Sequence, residues 1–453
     1  MTQKLPPVRV VVLNYNGAGR IEGCLKSLAE TKYPDLRVTV VDNASTDDSV
    51  DRVRQEFPSV EVIANGENVG FSRGNNQALR MATEPYVGLL NPDTIVDPDW
   101  LKPLVDRLTE DSSVGGVAPK ILHLHDRLPI RLEVPEFVPS GSDARRLGVR
   151  IYGLRSDVGR ADVTNGAYGV EQDGGGRAFR WSMSCVDFSL PVVEGSTLMK
   201  LELAAGDGRH GVPVKVLVGS CELGRIELNP GRTTNEIPFK DDVVSTMARP
   251  AIESAGIVPL PDGSMRDRGT RVLQGVPWSA WDSSAFDDRR EIFAPKGAAV
   301  LYRRDMLDEL DYLDDGIFMY YEDADLAWRA RRRGWIFCYE PSSVVRHEHA
   351  AFSKEWSPGF TRNVEFGKLR MLTKNAPVLW TFRHMAAATK YAWNDARVGI
   401  FQLDGTSIAL SISRVRALLQ VVTAAPQTFQ LRVNEGRHAP LDGRELNPFL
   451  EPQ

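Results

Sequence analysis

Short apolar runs that end in polar, turn-forming residues recur four times in the first 120 residues. Val10-Val11-Val12-Leu13 ends in Asn14-Tyr15-Asn16-Gly17, and Val38-Thr39-Val40-Val41 ends in Asp42-Asn43-Ala44-Ser45-Thr46-Asp47. Val60-Glu61-Val62-Ile63 leads into Asn68-Val69-Gly70-Phe71-Ser72-Arg73-Gly74-Asn75-Asn76, and Tyr86-Val87-Gly88-Leu89-Leu90 ends in Asn91-Pro92-Asp93-Thr94. Continuous apolar runs of this length suit strands covered on both faces. Helical spacing follows three of the turns directly, as in Ile21, Leu25 and Leu28, in Val50, Val53 and Phe57, and in Leu101, Leu104, Val105 and Leu108. After the third turn a helical stretch runs on through Met81. Four strand-to-helix units predict an α/β fold with a parallel sheet wound by helices on both faces. The polar residues then gather at the carboxyl ends of the strands, where open α/β sheets bind ligands.

The pattern changes near residue 125. As far as residue 249 the chain is rich in glycine, and its apolar positions alternate, as in Met199-Lys200-Leu201-Glu202-Leu203, in Val212, Val214, Val216 and Val218, and around Arg177-Ala178-Phe179-Arg180-Trp181. Short alternating runs between turn residues predict a β-sandwich. Tyr152, Phe179 and Trp181 are candidates for stacking on sugar rings, and core packing is the competing reading. Helical spacing returns at Leu326, Ala327 and Ala330, in a segment that opens on Glu322, Asp323 and Asp325 and stops at Gly334. Carboxylates on the first turn of a helix face unpaired N–H groups and stay ionised, which suits a general base, although acids also favour first turns for local reasons alone. Beyond Thr361 the chain reads as helices. Ile408, Ile412, Val415, Leu419 and Val422 form a heptad-like stripe, with Arg362, Lys368, Arg370, Lys374, Arg383 and Lys390 upstream.

Composition narrows the function classes. The 453 residues suffice for two or three domains, and 42% apolar with 25% charged residues is ordinary for a soluble protein. A net charge of −5 argues against nucleic acid as the main partner. Cys24, Cys185, Cys221 and Cys338 lack the spacing of a zinc site or a disulfide framework, which points to a reducing compartment. No apolar run of about 18 residues and no amino-terminal signal is evident, so the expectation is a cytoplasmic protein with no spanning segment. Neither a Gly-x-Gly-x-x-Gly fingerprint nor a Walker-type loop occurs. The strand-end loops offer Asp42 and Asn43 to a base or ribose, Arg73 to a phosphate and Asp93 to a hard cation. Together they outline a nucleotide-diphosphate pocket with Mg2+ or Mn2+. Asp42 also reads as an N-cap, Asn75-Asn76 as a turn, and Pro92-Asp93 as a structural corner.

These four segments, in this order, resemble the motifs of glycosyltransferase family 2, in its bacterial rhamnosyltransferase-like branch. The resemblance covers roughly residues 8–122 and 250–375 and implies a GT-A fold, a nucleotide-diphosphate sugar donor and inversion at the anomeric carbon. It adds Asn14, Tyr15, Asn16, Asn75 and Asn91 to the donor-binding set beside Asp42, Asn43, Arg73 and Asp93. Phe293-Ala294-Pro295-Lys296-Gly297-Ala298 resembles the family's small-residue segment. Glu322-Asp323 falls on its acidic motif, so Asp323 is the expected catalytic base, with Glu322 and Asp325 shaping the acceptor site. Tyr321, Arg329, Gly297 and Ala298 are expected on the acceptor side. Val345-Arg346-His347-Glu348-His349 resembles its Val-x-His element, with His347 as the expected partner of Asp93 on the metal and His349 as the alternative. The chain departs from the family in having Asn91-Pro92-Asp93 without a second aspartate.

The expected organisation is a nucleotide-sugar half at 1–124, a β-sandwich at 125–249 inserted as a candidate carbohydrate-binding module, and an acceptor half at 250–358. A helical region at 359–433 and a flexible tail at 434–453 complete it. The expected function is metal-dependent, inverting transfer of a sugar, thymidine-diphosphate rhamnose being the branch's suggestion, to a glycan or lipid-linked glycan in cell-surface polysaccharide or glycoprotein synthesis. A non-catalytic glycan-binding scaffold is the alternative. The basic helices suit peripheral contact with the inner face of the membrane or a second subunit of a homo-oligomer.

Overall fold

The computed structural model describes residues 5–140, 142–206, 208–239, 242–273, 276–348, 357–402 and 404–450. It divides into two compact units, one made of residues 1–122, 254–268 and 284–453, the other of residues 123–253 and 269–283.

The first unit begins with the strands Val8–Asn14, Leu36–Asp42, Glu61–Ala64 and Tyr86–Leu90, which pair in parallel. Val8, Val10, Val11 and Val12 are fully buried, as β-branched side chains on a sheet covered from both sides should be. Helices α1 (Ile21–Ala29), α2 (Ser49–Glu56), α3 (Phe71–Met81) and α4 (Leu101–Glu110) alternate with the strands. The register aligns Asn14 with Asp42 at the strands' carboxyl ends. The four expected units are parallel, and the sheet is extended by antiparallel strands from later in the chain. In the order Arg290–Ile292, Ile336–His347, Val114–His123, Ala299–Arg303, Tyr86–Leu90, Val8–Asn14, Leu36–Asp42, Glu61–Ala64, the strand Ala299–Arg303 runs antiparallel to Tyr86–Leu90.

In the second unit an antiparallel sheet takes the order Cys221–Leu228, Val212–Val218, Arg127–Glu133, Ala178–Pro191, Val149–Arg155, Leu198–Ala205, Gly231–Pro238. Its long strand Ala178–Pro191 pairs with Val149–Arg155 near its start and with Arg127–Glu133 over its second half. Both arms of the sheet therefore feed one core, to which Ile130, Phe188, Leu201 and Val214 belong. A short helix, α5 (Val243–Met247), lies beside it. Phe179 and Trp181 are buried, packed edge-to-face with Arg150 over both rings, and are not free to stack on a sugar. Tyr152 is half-buried and donates its hydroxyl to Asp173.

The remainder of the first unit holds α6 (Arg304–Glu309), α7 (Glu322–Arg332), α8 (Pro358–Asn375), α9 (Val378–Gln402) and α10 (Gly405–Glu435). Three expectations are corrected here. By length and composition α10 is apolar enough to cross a membrane, because its charged side chains fall in two pairs, Arg414 with Arg416 and Arg432 with Glu435, and the rest of its 31 residues are uncharged. Arg370 and Lys374 are buried in ion pairs and contribute nothing to a basic surface. The chain from residue 435 to residue 450 is anchored, since a 3-10 turn over Arg444–Phe449 inserts Leu446 and receives an ion pair from Arg332 to Glu445 at 3.0 Å. None of the four cysteines is in a disulfide.

Candidate active site

The first three strand-end loops are tied to one another by buried side chains. Asn14 donates from Nδ2 to Asp42 Oδ1 at 2.8 Å and also meets Ser45 and Ser49, while its own Oδ1 accepts no hydrogen bond. Asp42 further accepts from the amide and hydroxyl of Ser45, so its carboxylate is committed to holding the turn. Asn16, in the left-handed region at φ 53°, accepts from the Thr46 amide at 2.7 Å, and Tyr15 is left exposed. Asn43 bridges the Gly70 carbonyl and Asn65.

The third motif lies on a helix where a turn was the alternative. α3 starts at Phe71, directly after Gly70, whose φ of +87° only glycine adopts without strain. Asn75 donates back to the Phe71 carbonyl. Asn76 turns inward to the Leu313 carbonyl and Asp315, and Arg73 Nε donates to the Asp315 carbonyl at 2.9 Å. These bonds join the helix to the loop that precedes α7.

The fourth motif meets the Val-x-His element through strand pairing. Ile336–His347 runs antiparallel to Thr94–Val96 with His347 opposite Thr94. Nε2 of His347 lies 3.2 Å from Asp93 Oδ1 and 3.3 Å from Asn91 Nδ2. Both Asp93 and His347 are buried, and Asp93 Oδ1 receives no well-directed hydrogen bond. An orphaned carboxylate oxygen beside an imidazole is a fitting pair of ligands for a divalent cation. Among the described residues no group of three His, Cys, Asp or Glu could hold a metal ion, so Asp93 and His347 would supply only part of the shell of such an ion. The Glu348 amide donates to the Asp93 carbonyl, and Arg20 clasps the Glu348 carboxylate at 2.7 and 3.1 Å. His349 lies outside the described residues.

Asp323 stands on the first turn of α7, half-buried, with Oδ2 accepting from the Gly297 amide at 3.1 Å and Oδ1 from the Ala324 amide at 2.7 Å. The next carbonyl, that of Ala298, accepts from the Asn91 amide at 2.9 Å. Residues 297 and 298 thereby connect the acidic turn to the Asp93–His347 pair. A Cβ on Gly297 would make only ordinary van der Waals contact with Phe71 and with Asp323 Oδ2, so alanine would fit there. Burial raises the Asp323 pKa above the ordinary carboxylate range, against the opposing pull of the Gly297 and Ala324 amides. Glu322 is more strongly affected. Burial first, and then the neighbouring Asp323 charge, push it up to about 8, and its Oε2 has no hydrogen-bond partner.

Two neighbours escape pattern reading. Lys296 pairs with Asp267 at 3.1 Å, and both act electrostatically on Asp323. Lys296 lies within the small-residue segment and Asp267 opens Asp267-Arg268-Gly269, which also resembles a family segment, but pattern alone gives neither residue a role. Tyr320 and Tyr321 both have left-handed backbones, at φ 72° and 71°, immediately before the acidic turn. The Tyr321 hydroxyl meets the backbone of Met265.

Asp325 and Arg329 are corrected to an internal role. Asp325 is fully buried and receives Arg329 at 3.0 Å, Lys374 at 2.7 Å and Asn375 at 2.8 Å. Arg329 also donates to the Leu310 and Tyr312 carbonyls. Neither has a group left for an acceptor.

Two family models match the chain, "Glycosyl transferase family 2" over residues 9–137 and "Glycosyltransferase like family 2" over residues 279–363. Chondroitin synthase of Escherichia coli is 30% identical over 119 residues, which are 25% of this chain and 17% of that protein. N-acetylglucosaminyl-diphospho-decaprenol L-rhamnosyltransferase of Mycobacterium tuberculosis is 26% identical over 156 residues, 32% of this chain and 50% of that protein. The chain thus spans half or less of the length of these relatives. A solved mannosyltransferase of Pyrobaculum calidifontis in complex with GDP-Man and Mn2+ aligns over 96% of this chain and 81% of its own at 15% identity and a TM-score of 0.38. The segments matched by these two models of glycosyltransferase family 2 contain Asp93 on one side and Asp323 and His347 on the other.

Proposed function

We propose that the chain is an inverting, metal-dependent glycosyltransferase that moves a sugar from a nucleoside diphosphate to a hydroxyl of a glycan or lipid-linked glycan. One observation supports the reading. The Gly297-Ala298 segment holds the Asp323 carboxylate with one amide and the Asn91 backbone with the following carbonyl, which links Asp323, with its raised pKa, to the loop that carries Asp93. Asp323 takes the proton of the acceptor hydroxyl as its oxygen bonds to the anomeric carbon. The bond to the diphosphate breaks on the opposite face, and the nucleoside diphosphate leaves with the electron pair. Attack opposite the leaving group inverts the centre. A divalent ion at Asp93 and His347 would neutralise the charge that develops on the diphosphate. Keeping the metal ligand and the base on separate elements leaves Asp323 free to accept a proton.

Asn14, with its orphaned Oδ1, and the exposed Tyr15 are the donor contacts this geometry favours, and Asp42 and Asn43 shape the pocket from behind. The rhamnosyltransferase relative makes thymidine-diphosphate rhamnose the first donor to try. Asp323→Asn tests the assignment. Transfer should fall by ~10²–10⁴-fold, the usual contribution of a general base. Donor affinity, measured by calorimetry, should stay within about threefold of the parent. Normal turnover in the variant would remove Asp323 from the role.

A further inference from the structure

α9 and α10 pack on each other and leave wide apolar faces to solvent. On α10 the side chains of Ile408, Ile412, Val415, Leu419, Val422 and Phe429 are all exposed, at alternating spacings of four and three with one turn passed over. They lie opposite Ser413, Ala417, Val421 and Thr428, which face the protein. The exposed stripe is ~32 Å long at the α-helical rise. On α9, Phe382, Trp393 and Ile400 form a second exposed row, with Trp393 69% exposed and Ile400 67%. Beside it, Arg383, Lys390 and Arg397 recur every seventh residue and are exposed, as is Arg416 on α10.

The charge pattern identifies the occupant. The acidic residues of these two helices, Asp395 and Glu435, are both engaged, by Arg414 at 2.9 Å and by Arg333 at 2.9 Å. The exposed charges named above are therefore all positive. A second copy of the chain would set like charges against one another along the seam, where helical dimers place opposite ones. An anionic lipid surface complements them, and an exposed tryptophan beside cations with long stems suits the headgroup region. We propose that the α9–α10 hairpin docks this protein on an anionic lipid bilayer, lying in the plane of the interface. α10 does not cross it, because Arg414 pairs with Glu365 at 2.6 Å and Arg432 donates to the Thr373 and Ala376 carbonyls, which fixes one face of the helix to α8.

The test is flotation of the full chain with vesicles of phosphatidylcholine alone and of phosphatidylcholine mixed with phosphatidylglycerol, at low and high salt. Binding is expected to the mixed vesicles, weakened by salt and weak on phosphatidylcholine alone. Each cation near an anionic surface strengthens binding about fivefold, so Arg383→Glu/Lys390→Glu/Arg397→Glu should lower affinity by at least ~100-fold. Phe382→Gln/Trp393→Gln/Ile400→Gln should abolish flotation while circular dichroism and melting temperature stay near those of the parent, because these side chains are exposed. Failure to float with the mixed vesicles would overturn the proposal, as would flotation unchanged in both triple variants. A dimer in solution that Leu419→Gln dissociates, with no flotation of the parent, would also overturn it and give the stripe to a second copy.

Discussion

Glu322 offers a prediction whose sign and size follow from where it sits. Its carboxyl is buried at the start of α7 with one oxygen unpartnered, and burial together with the Asp323 charge moves its pKa from 4.5 to about 8. Between these values the folded protein keeps a proton that the unfolded chain has released. Stability contributed by this group is therefore fully present below about pH 4.5 and is lost progressively as pH rises through about 8. Carried in full, a move of that size is worth ~5 kcal/mol at ~1.4 kcal/mol per pH unit. Sharing of charge with Asp323 and local relaxation reduce the part realised to roughly half, ~2–3 kcal/mol. Glu322→Gln keeps the shape and stays neutral at every pH. Urea unfolding of parent and variant, compared from about pH 5 to about pH 8.5, should show the parent losing ~2–3 kcal/mol more than the variant. Contributions from the second unit are common to both proteins and cancel in the difference. Asp323→Asn removes the neighbouring charge but not the burial, so it should remove only the smaller share. Parallel pH profiles for the parent and Glu322→Gln would refute the reasoning, since they would mean that the carboxyl is solvated in the folded state.

Other perturbations reach other parts of the site. Lys374→Met removes the cation shared by Asp314 and Asp325 and should cost ~3–5 kcal/mol, seen as a lower urea midpoint, because two buried carboxylates lose a partner at once. Gly70→Ala would drive a Cβ to 2.6 Å from the Phe318 carbonyl at a φ of +87°, and a loss of more than ~1 kcal/mol is expected in thermal unfolding. Mn2+ is expected to add thermal stabilisation in the presence of a nucleoside diphosphate, and Asp93→Asn and His347→Ala should each abolish it. A stabilisation that survives both changes would place the ion elsewhere.

The half of the fold before residue 120 is legible because its strands are short apolar runs and its turns are polar, so period and punctuation agree. The position of Ala299–Arg303 is not legible. Its small and apolar residues fit any buried strand, and only tertiary pairing sets it antiparallel to Tyr86–Leu90. The third motif is hard to place for a related reason. Ser72, Arg73, Asn75 and Asn76 give α3 little apolar period, and its start depends on the left-handed Gly70. Phe179 and Trp181 show the limit of reading aromatics by type, since the same alternation that predicts a strand also turns them inward. The residues after 434 look loose by composition, yet Leu446 and Phe449 find apolar contacts that no local pattern announces.

The acidic turn of α7 shows why helical geometry must be applied residue by residue. Asp323 and Asp325 are two positions apart, which turns their side chains ~200° from each other around the helix. They cannot serve one site, and grouping them by proximity in sequence assigns Asp325 the wrong side. The inward face carries Asp325, Arg329 and Arg332, which bind Lys374, Asn375 and Glu445. Lys374 and Arg370 also hold Asp314 well below the usual carboxylate range despite its burial. This network fixes α7 against α8. α8 in turn approaches so closely at Gly367 that a Cβ there would collide with the Tyr320 carbonyl. Tyr320 and Tyr321 are left-handed at a cost of ~1–2 kcal/mol each. Such a bend persists only where the surroundings hold it, and here the ion pairs and the Gly367 contact do so. The bend delivers Asp323 to the Gly297 amide on the very first turn of the helix. The internal face of α7 therefore positions Asp323 without touching it, and if Asp323 is the base as proposed, loosening that face should lower turnover before it lowers donor affinity.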